Sequence, residues 1–137
     1  VRGIGAFLVR FQTEDCGLFK WPAGALHVLV ENVRCGMAVR HWHPNPLVPQ
    51  SPNSHVAIEF PGNTTNRPFY NTVKGCFFDG FGLNLNTQWA WEQRYYDNIM
   101  INCGVMVKAT GVSVNNHVSR NSGSGNGIAF QRIFSTM

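Results

Sequence analysis

Short runs of alternating apolar and polar residues, each beginning near a glycine, recur along the chain. The segments DCGLFK, RCGMAV, FDGFGL, NCGVMV and NSGSGN carry this phrase, with a small or compact residue just before the glycine. In the copies that end at Val39, Leu83 and Val107, apolar residues stand one and three positions after the glycine, a period of two that predicts a β-strand with one buried face. No stretch longer than about two turns keeps the 3.6-residue period of a helix, so the pattern predicts an all-β chain.

The spacing of the phrase predicts a solenoid. Its glycines are Gly17, Gly36, Gly80, Gly104 and Gly123, and their sequence separations are 36 − 17 = 19, 80 − 36 = 44, 104 − 80 = 24 and 123 − 104 = 19. Periods of about 20–25 residues are typical of solenoids, and the long gap would hold one coil with an insertion or two coils. We therefore predict a right-handed, single-stranded parallel β-helix in which the five glycines stack in register and Cys16 lies beside Cys35. A β-sandwich lectin is the alternative fold.

Length and composition are those of a single globular domain. The chain has 137 residues, of which 44% are hydrophobic and 13% charged, and its 14 glycines and 7 prolines fit a β-rich fold with frequent turns. We expect one β-helix domain over residues 1–137, with insertions at about 41–69 and 86–96. Because the sequence starts at Val1 without a leader, we expect a fragment or domain of a longer chain. No apolar run approaches the roughly 20 residues needed to cross a bilayer, so membrane insertion is not expected.

Charge and cysteine usage exclude several partners. The formal net charge is +4 with scattered Lys and Arg, and without a basic stripe or motif we expect no nucleic-acid partner, although a preference for an anionic ligand remains. The four cysteines show neither CxxC pairs nor zinc spacing, so reduced, buried thiols are expected. His41 and His43, even with His55 as a third ligand, do not by themselves define a zinc site, and we expect no metal and no cofactor.

Three segments resemble a known family. NTVKGCFFDGFGLNL, NIMINCGVMV and NNHVSRNSGSGNGIAF resemble coils of the pectate-lyase-like β-helices, and of bacteriophage tailspikes in particular, over about residues 26–130. The shared motifs belong to the fold rather than to one enzyme. The resemblance implies a homotrimeric domain, on a virion tail or otherwise extracellular, that binds or cleaves a bacterial surface polysaccharide.

The predicted coils also suggest where a polysaccharide could bind. If the first and third positions after each glycine face inward, the fourth positions form an outward column of Trp21, Arg40, Asn84, Lys108 and Gly127. The two insertions would leave this column at Arg40 and Asn84 and so emerge at one corner, where their aromatic rings could stack on sugars or instead pin the loops or fill an intersubunit contact. The candidate substrate-binding residues are Arg40, Trp42, Trp89, Trp91, Arg94, Tyr95, Tyr96 and Lys108.

The acidic residues are few, and several chemistries stay open. Glycoside hydrolysis requires two carboxyl groups roughly 5–9.5 Å apart, and Glu92 and Asp97 form the best candidate pair, with Asp79 third although a turn-capping role suits it. A lyase would instead require a base and cations for a uronate carboxylate, and Arg40, His41, His43, Arg94, Tyr95 and Lys108 supply these types. The first hypothesis is a tailspike-like domain that binds and depolymerises a bacterial surface polysaccharide, as an endoglycosidase or a polysaccharide lyase. The alternatives are a non-catalytic receptor-binding or shaft module and a bacterial polysaccharide lyase.

Overall fold

The computed structural model describes residues 2, 5–9, 17–37, 55–112 and 114–133 of the chain. Within these ranges the structure consists of strands joined by turns, and no helix long and apolar enough to cross a membrane is found there. The strands are β1 (Gly5–Val9), β2 (Gly17–Lys20), β3 (Leu29–Glu31), β4 (Arg34–Met37), β5 (Val56–Phe60), β6 (Thr72–Lys74), β7 (Phe77–Asp79), β8 (Leu83–Gln88), β9 (Arg94–Tyr96), β10 (Ile99–Ile101), β11 (Val105–Thr110), β12 (His117–Ser119) and β13 (Ile128–Ile133).

Three parallel sheets contain all of these strands. Sheet I has the order β13-β11-β8-β5-β2, sheet II the order β12-β9-β6-β3, and sheet III the order β1-β4-β7-β10. The chain visits sheets I, II and III in turn and makes three complete coils, β2-β3-β4, β5-β6-β7 and β8-β9-β10, with β1 before them and β11, β12 and β13 after them. Every strand pairing in the described ranges is parallel. The predicted all-β parallel solenoid is therefore confirmed, and the sandwich alternative is excluded.

The coil length differs from the predicted spacing of the glycines. Leu83 pairs with Val105, and Arg94 pairs with His117, so the sequence separations along one coil are 105 − 83 = 22 and 117 − 94 = 23. The predicted insertion at 86–96 coincides with the end of β8, a turn at residues 89–93 and the whole of β9. The predicted insertion at 41–69 contains β5 and continues into the long turn at residues 61–71, while its residues 41–54 lie outside the described part of the chain.

The predicted glycine register is wrong. Gly17 pairs with Val56 in sheet I, whereas Gly36 pairs with Asp79 in sheet III. The phrase had matched different corners of the coil to one another, since a small residue and a glycine suit any sharp turn. Cys16 lies outside the described residues, so its predicted contact with Cys35 stays a prediction.

The corners between sheets are built on residues with left-handed backbone conformation. Such residues stand at each corner of successive coils: His27, Tyr70, Glu92 and Asn115 between sheets I and II; Asn32, Gly75, Asp97 and Arg120 between sheets II and III; and Gly80, Asn102 and Gly125 between sheets III and I. A left-handed conformation costs a non-glycine residue about 1–2 kcal/mol. The residue that follows turns its side chain into the solenoid, and these inward residues include Asn71, Gln93, Asn98, Asn121 and Asn126.

Inward amides connect one coil to the next at each corner. Asn98 accepts a hydrogen bond at Oδ1 from the backbone N–H of Cys76 (3.0 Å), and its Nδ2 donates to the Val73 carbonyl (3.0 Å) and to Oδ1 of Asn121 (2.9 Å). Asn116 repeats this arrangement at the corner between sheets I and II, where its Oδ1 accepts a hydrogen bond from the backbone N–H of Gln93 (2.9 Å) and its Nδ2 donates to the Ala90 carbonyl (3.0 Å). Because these bonds satisfy backbone groups that the turns leave unpaired inside the protein, they offset the cost of the left-handed residues.

The interior contains stacked apolar columns and free thiols. Val30, Val73 and Tyr95 form one column, Cys35, Phe78 and Met100 another, and Ile58, Leu85 and Val107 a third, and all nine side chains are at most 1% exposed. Cys35, Cys76 and Cys103 are free and buried, which confirms the predicted reduced thiols for these three positions.

Burial predicts unreactive thiols. It raises the pKa of Cys35 to about 11 and that of Cys103 to about 12. At pH 8 we therefore expect native protein to resist iodoacetamide at both positions and unfolded protein to be alkylated, as peptide mass spectrometry would show. Rapid alkylation of Cys103 in native protein at pH 8 would contradict this burial.

The same raised pKa values make the stability of the protein depend on pH. The folded state holds the thiol protons more tightly than the unfolded chain, whose thiols have a pKa of about 9. The free energy of unfolding should therefore fall as the pH rises from about 9 towards 11–12.

Candidate functional site: an aromatic corner

Aromatic residues accumulate where the chain passes from sheet I to sheet II. Backbone bridges join Leu26 to Phe69, Phe69 to Trp91 and Trp91 to Val114, so these residues stand above one another on successive coils about 4.8 Å apart. Next to them runs the left-handed column that contains His27, Tyr70 and Glu92. We use the name aromatic corner for the surface formed by Leu26, His27, Arg67, Phe69, Tyr70 and Trp91.

The rings of the aromatic corner contact one another. His27 and Tyr70 are stacked, with centroids 5.1 Å apart and an interplanar angle of 11°. Phe69 lies 5.9 Å from Tyr70 and meets Trp91 edge-on at 5.4 Å, and the Arg67 guanidinium lies 4.7 Å from the centre of the Trp91 ring. These contacts fix the ring orientations before any ligand arrives, which lowers the entropy cost of binding.

Exposure differs across this surface. Tyr70 is 49% exposed and Leu26 57%, since their corner positions direct the side chains away from the core. Trp91 is half-buried, one face lies against Arg67, and its indole N–H is buried without a hydrogen-bond partner among the described residues. Tyr70 and His27 therefore offer the accessible ring surface. Trp91 packs against Phe69, which in turn contacts Tyr70.

Trp89 lies at the same corner but packs against the coil that follows. A side-chain Cβ at Gly111 would lie 2.7 Å from the Trp89 ring, so the indole occupies the space that only a glycine leaves free. Of the predicted aromatic group, the structure thus brings Trp89 and Trp91 to one corner. Trp42 and Arg40 lie outside the described residues.

The candidate carboxylates occupy three different corners. Glu92 belongs to the column of Tyr70 and accepts a hydrogen bond from Nδ2 of Asn115 (2.8 Å). Asp97 stands on the corner between sheets II and III, where Arg120 donates two bonds of 2.7 and 2.8 Å and holds the pKa of the carboxyl below its usual value. Asp79 ends β7 and accepts a bond from Asn102 (2.8 Å).

Strand β9 separates Glu92 from Asp97. The two residues belong to different corners of the coil, and each has a partner of its own, Asn115 for Glu92 and Arg120 for Asp97. Hydrolysis through this pair would require a carboxyl separation of roughly 5–9.5 Å, and their action as an acid–base pair stays a prediction.

The remaining sequence candidates are dispersed. Tyr95 is only 1% exposed and points into the core, where its hydroxyl lies 3.5 Å from Oε1 of Gln93, so its assignment to ligand contact is corrected. Tyr96 lies under Arg120, with a guanidinium-to-ring distance of 5.6 Å. Lys108 is on sheet I, far along the coil from the exposed Arg94 of sheet II.

The predicted outward column also needs correction. Asn84 is completely buried, and Lys108 is in register with Asn86 rather than with Asn84. Trp21 instead stacks on Phe60 at 5.0 Å. The prediction of this column was wrong because its positions were counted from glycines that stand at different corners of the coil.

Sequence reasoning missed His27, Arg67, Phe69 and Tyr70. In the structure each left-handed residue at this corner is followed by an inward residue, in the pairs HV, YN, EQ and NN at residues 27–28, 70–71, 92–93 and 115–116. These pairs share no common residue, so the sequence alone carries no signal that would have aligned Tyr70 with His27.

Within the described ranges, no three His, Cys, Asp or Glu side chains are grouped so that they could hold a metal ion. His41 and His43 lie outside those ranges.

Comparison with protein-family models, curated proteins and solved structures found no match to this chain.

Proposed function

We propose that this β-solenoid binds an extended polysaccharide along the aromatic corner. The observation that carries the proposal is the exposed, pre-stacked pair of His27 and Tyr70, supported by Phe69 and Trp91. Rings with an apolar face and a polar edge suit sugars, whose C–H groups pack on the face while hydroxyls bond at the edge. Arg67 and Glu92 add a donor and an acceptor beside these rings.

The described geometry favours binding over cleavage. Each described carboxylate has a polar partner of its own: Glu31 with Lys74, Glu59 with Lys20, Asp79 with Asn102, Glu92 with Asn115 and Asp97 with Arg120. Glu92 and Asp97, the best candidate pair, are held at different corners of the coil, whereas an acid–base pair must act on one glycosidic bond from roughly 5–9.5 Å apart. A binding module is therefore our first proposal. Depolymerisation by a glycosidase or lyase is the second, because Glu92 follows Tyr70 in the same column.

The biological setting is part of the proposal. The tailspike-like resemblance of the coils suggests a bacterial surface polysaccharide as the ligand and a homotrimer on a virion tail, or another extracellular location, as the context. The exposed apolar residues Val118, Ile128 and Phe130 on the last strands offer surface for such an assembly.

The test is incubation of the protein with purified acidic and neutral bacterial capsular polysaccharides. Calorimetric or fluorescence-detected binding without new reducing ends supports the module. New reducing ends without ultraviolet absorption indicate a hydrolase, and absorption from an unsaturated uronate indicates a lyase. Absence of binding to every member of the panel would contradict the proposed function.

Replacing Glu92 by Gln separates binding from chemistry. We expect affinity to stay within about threefold, because the amide keeps the side-chain shape and an acceptor for Asn115, and any cleavage to vanish, because an amide cannot act as acid or base. Isothermal titration and a reducing-end assay measure the two effects. Glu59→Gln, on sheet I, is the matched control, and cleavage by Glu92→Gln at the parent rate would remove Glu92 from the chemistry.

A further inference from the structure

Sheet II presents a polar outer face beside the aromatic corner. Along this face, Thr72, Arg94 and His117 are in register on β6, β9 and β12, and Lys74, Tyr96 and Ser119 form the next column. Arg94 comes two residues after Glu92, so this face adjoins the aromatic corner. A polymer on the corner would have its substituents within reach of these side chains.

Among the described residues, no carboxylate forms an ion pair with Arg94 on this face. Glu31 pairs with Lys74 (3.1 Å) and with Arg2, and Asp97 pairs with Arg120, while Glu92 is hydrogen-bonded to Asn115. Arg94 is exposed and forms no ion pair with any carboxylate in the described ranges. Its guanidinium is therefore available to a ligand.

The neighbouring strand β12 carries a hydrogen-bonded pair of polar residues, His117 and Ser119. His117 is the register partner of Arg94, which places the two side chains about 4.8 Å apart on one face. Nε2 of His117 lies 2.8 Å from Oγ of Ser119. In the tautomer that carries its proton on Nδ1, Nε2 accepts the Ser119 O–H, which orients the ring, and Nδ1–H can donate to a ligand bound by Arg94.

We propose that Arg94 and His117, the latter oriented by Ser119, bind the carboxylate of an acidic sugar residue. A carboxylate accepts two parallel N–H bonds from the planar guanidinium fork, and another of its lone pairs can accept from Nδ1–H of His117. This proposal rests on the proposed function, the binding of a polysaccharide along the aromatic corner. It restricts the ligand to polysaccharides that contain uronate, and the sugar next to the bound uronate would stack on Tyr70.

The first experiment measures the anion site without a polymer. The imidazole NMR signals of His117 are followed during titration with sodium glucuronate, glucose 6-phosphate, glucose and sodium chloride at constant ionic strength. We expect a saturable shift with glucuronate, a weaker one with the phosphate and none with glucose. Arg94→Gln should abolish the shift, whereas Arg34→Gln, which removes an exposed arginine on sheet III, should leave it unchanged. Equal shifts with chloride, a preference for the phosphate, or an unaltered shift in Arg94→Gln would overturn the proposal.

The second experiment distinguishes this site from the aromatic corner. An acidic polysaccharide is compared with its carboxyl-reduced form, and we expect wild-type protein to bind the native form about tenfold to a hundredfold more tightly, the range for hydrogen bonds to a charged group. Arg94→Gln should lose this preference and still bind the reduced polymer as wild type does. If Arg94→Gln keeps the full preference, the carboxylate site is wrong while the corner stands. If wild-type protein binds neither polymer, the proposed function fails and the glucuronate titration alone decides the anion site.

Discussion

Replacing Asn98 by Ala should lower the free energy of unfolding by about 3 kcal/mol, because each buried group left without a partner costs about 1–3 kcal/mol. Asn98 is completely buried and binds the Cys76 N–H, the Val73 carbonyl and the Asn121 side chain. Alanine would leave all three without this partner, and the space is too enclosed for solvent to replace it freely. Urea denaturation followed by circular dichroism measures the change.

Asn66→Ala is the matched control. Asn66 is exposed, and the hydrogen bonds it makes within its turn come from its backbone, so we expect a change within about 0.5 kcal/mol. If Asn98→Ala is as stable as this control, the inward amides contribute little and the coils are held by apolar packing alone.

Replacing Tyr70 by Ala should weaken polysaccharide binding by about 2 kcal/mol, roughly thirtyfold, the loss expected for an aromatic residue at the centre of a binding surface. The substitution removes the exposed ring and leaves His27 without its stacking partner, so the pre-formed platform is lost. Titration calorimetry with the tightest-binding polysaccharide of the panel provides the measurement, with thermal unfolding to check that the coil stays folded.

Phe130→Ala controls for the loss of an exposed ring. Phe130 has the same exposed fraction as Tyr70, 49%, but lies on β13 at the last coil. We expect its replacement to leave affinity unchanged. Equal losses in both variants would indicate that exposed apolar surface in general, rather than the aromatic corner, binds the polymer.

The sequence was sufficient to predict the kind of fold but not its register. Period-two alternation identified strands, and recurrence of a short phrase identified coils, because a parallel solenoid must bury one face on every turn. The register failed because glycines are not the consistent feature of the corners. His27, Tyr70 and Glu92 adopt the left-handed conformation at one corner without any glycine, and the inward amides stabilise it there.

The site was predictable only in part for the same reason. Trp89 and Trp91 were grouped because both follow Asn84 in one segment, and both lie in the turn after β8. Tyr95 was assigned to the surface although strict alternation along β9 exposes its neighbours Arg94 and Tyr96 and buries Tyr95. Tyr70 and His27 were missed because their orientation depends on corner conformation, which residue type alone does not reveal.

The amide connections at each corner also have a consequence for the order in which the chain folds. Every coil contacts only its neighbours along the stack, and the coils that pair through β8, β9, β11 and β12 are nearly equal in length, so the entropy cost of closing these later coils is nearly the same. Such a chain can grow from any folded coil and can lose coils from one end without collapsing elsewhere. Amide hydrogens of β13, at the edge of sheet I, should therefore exchange with solvent through local fraying. Those of β7 and β8, in the central coils, should exchange only when these coils separate.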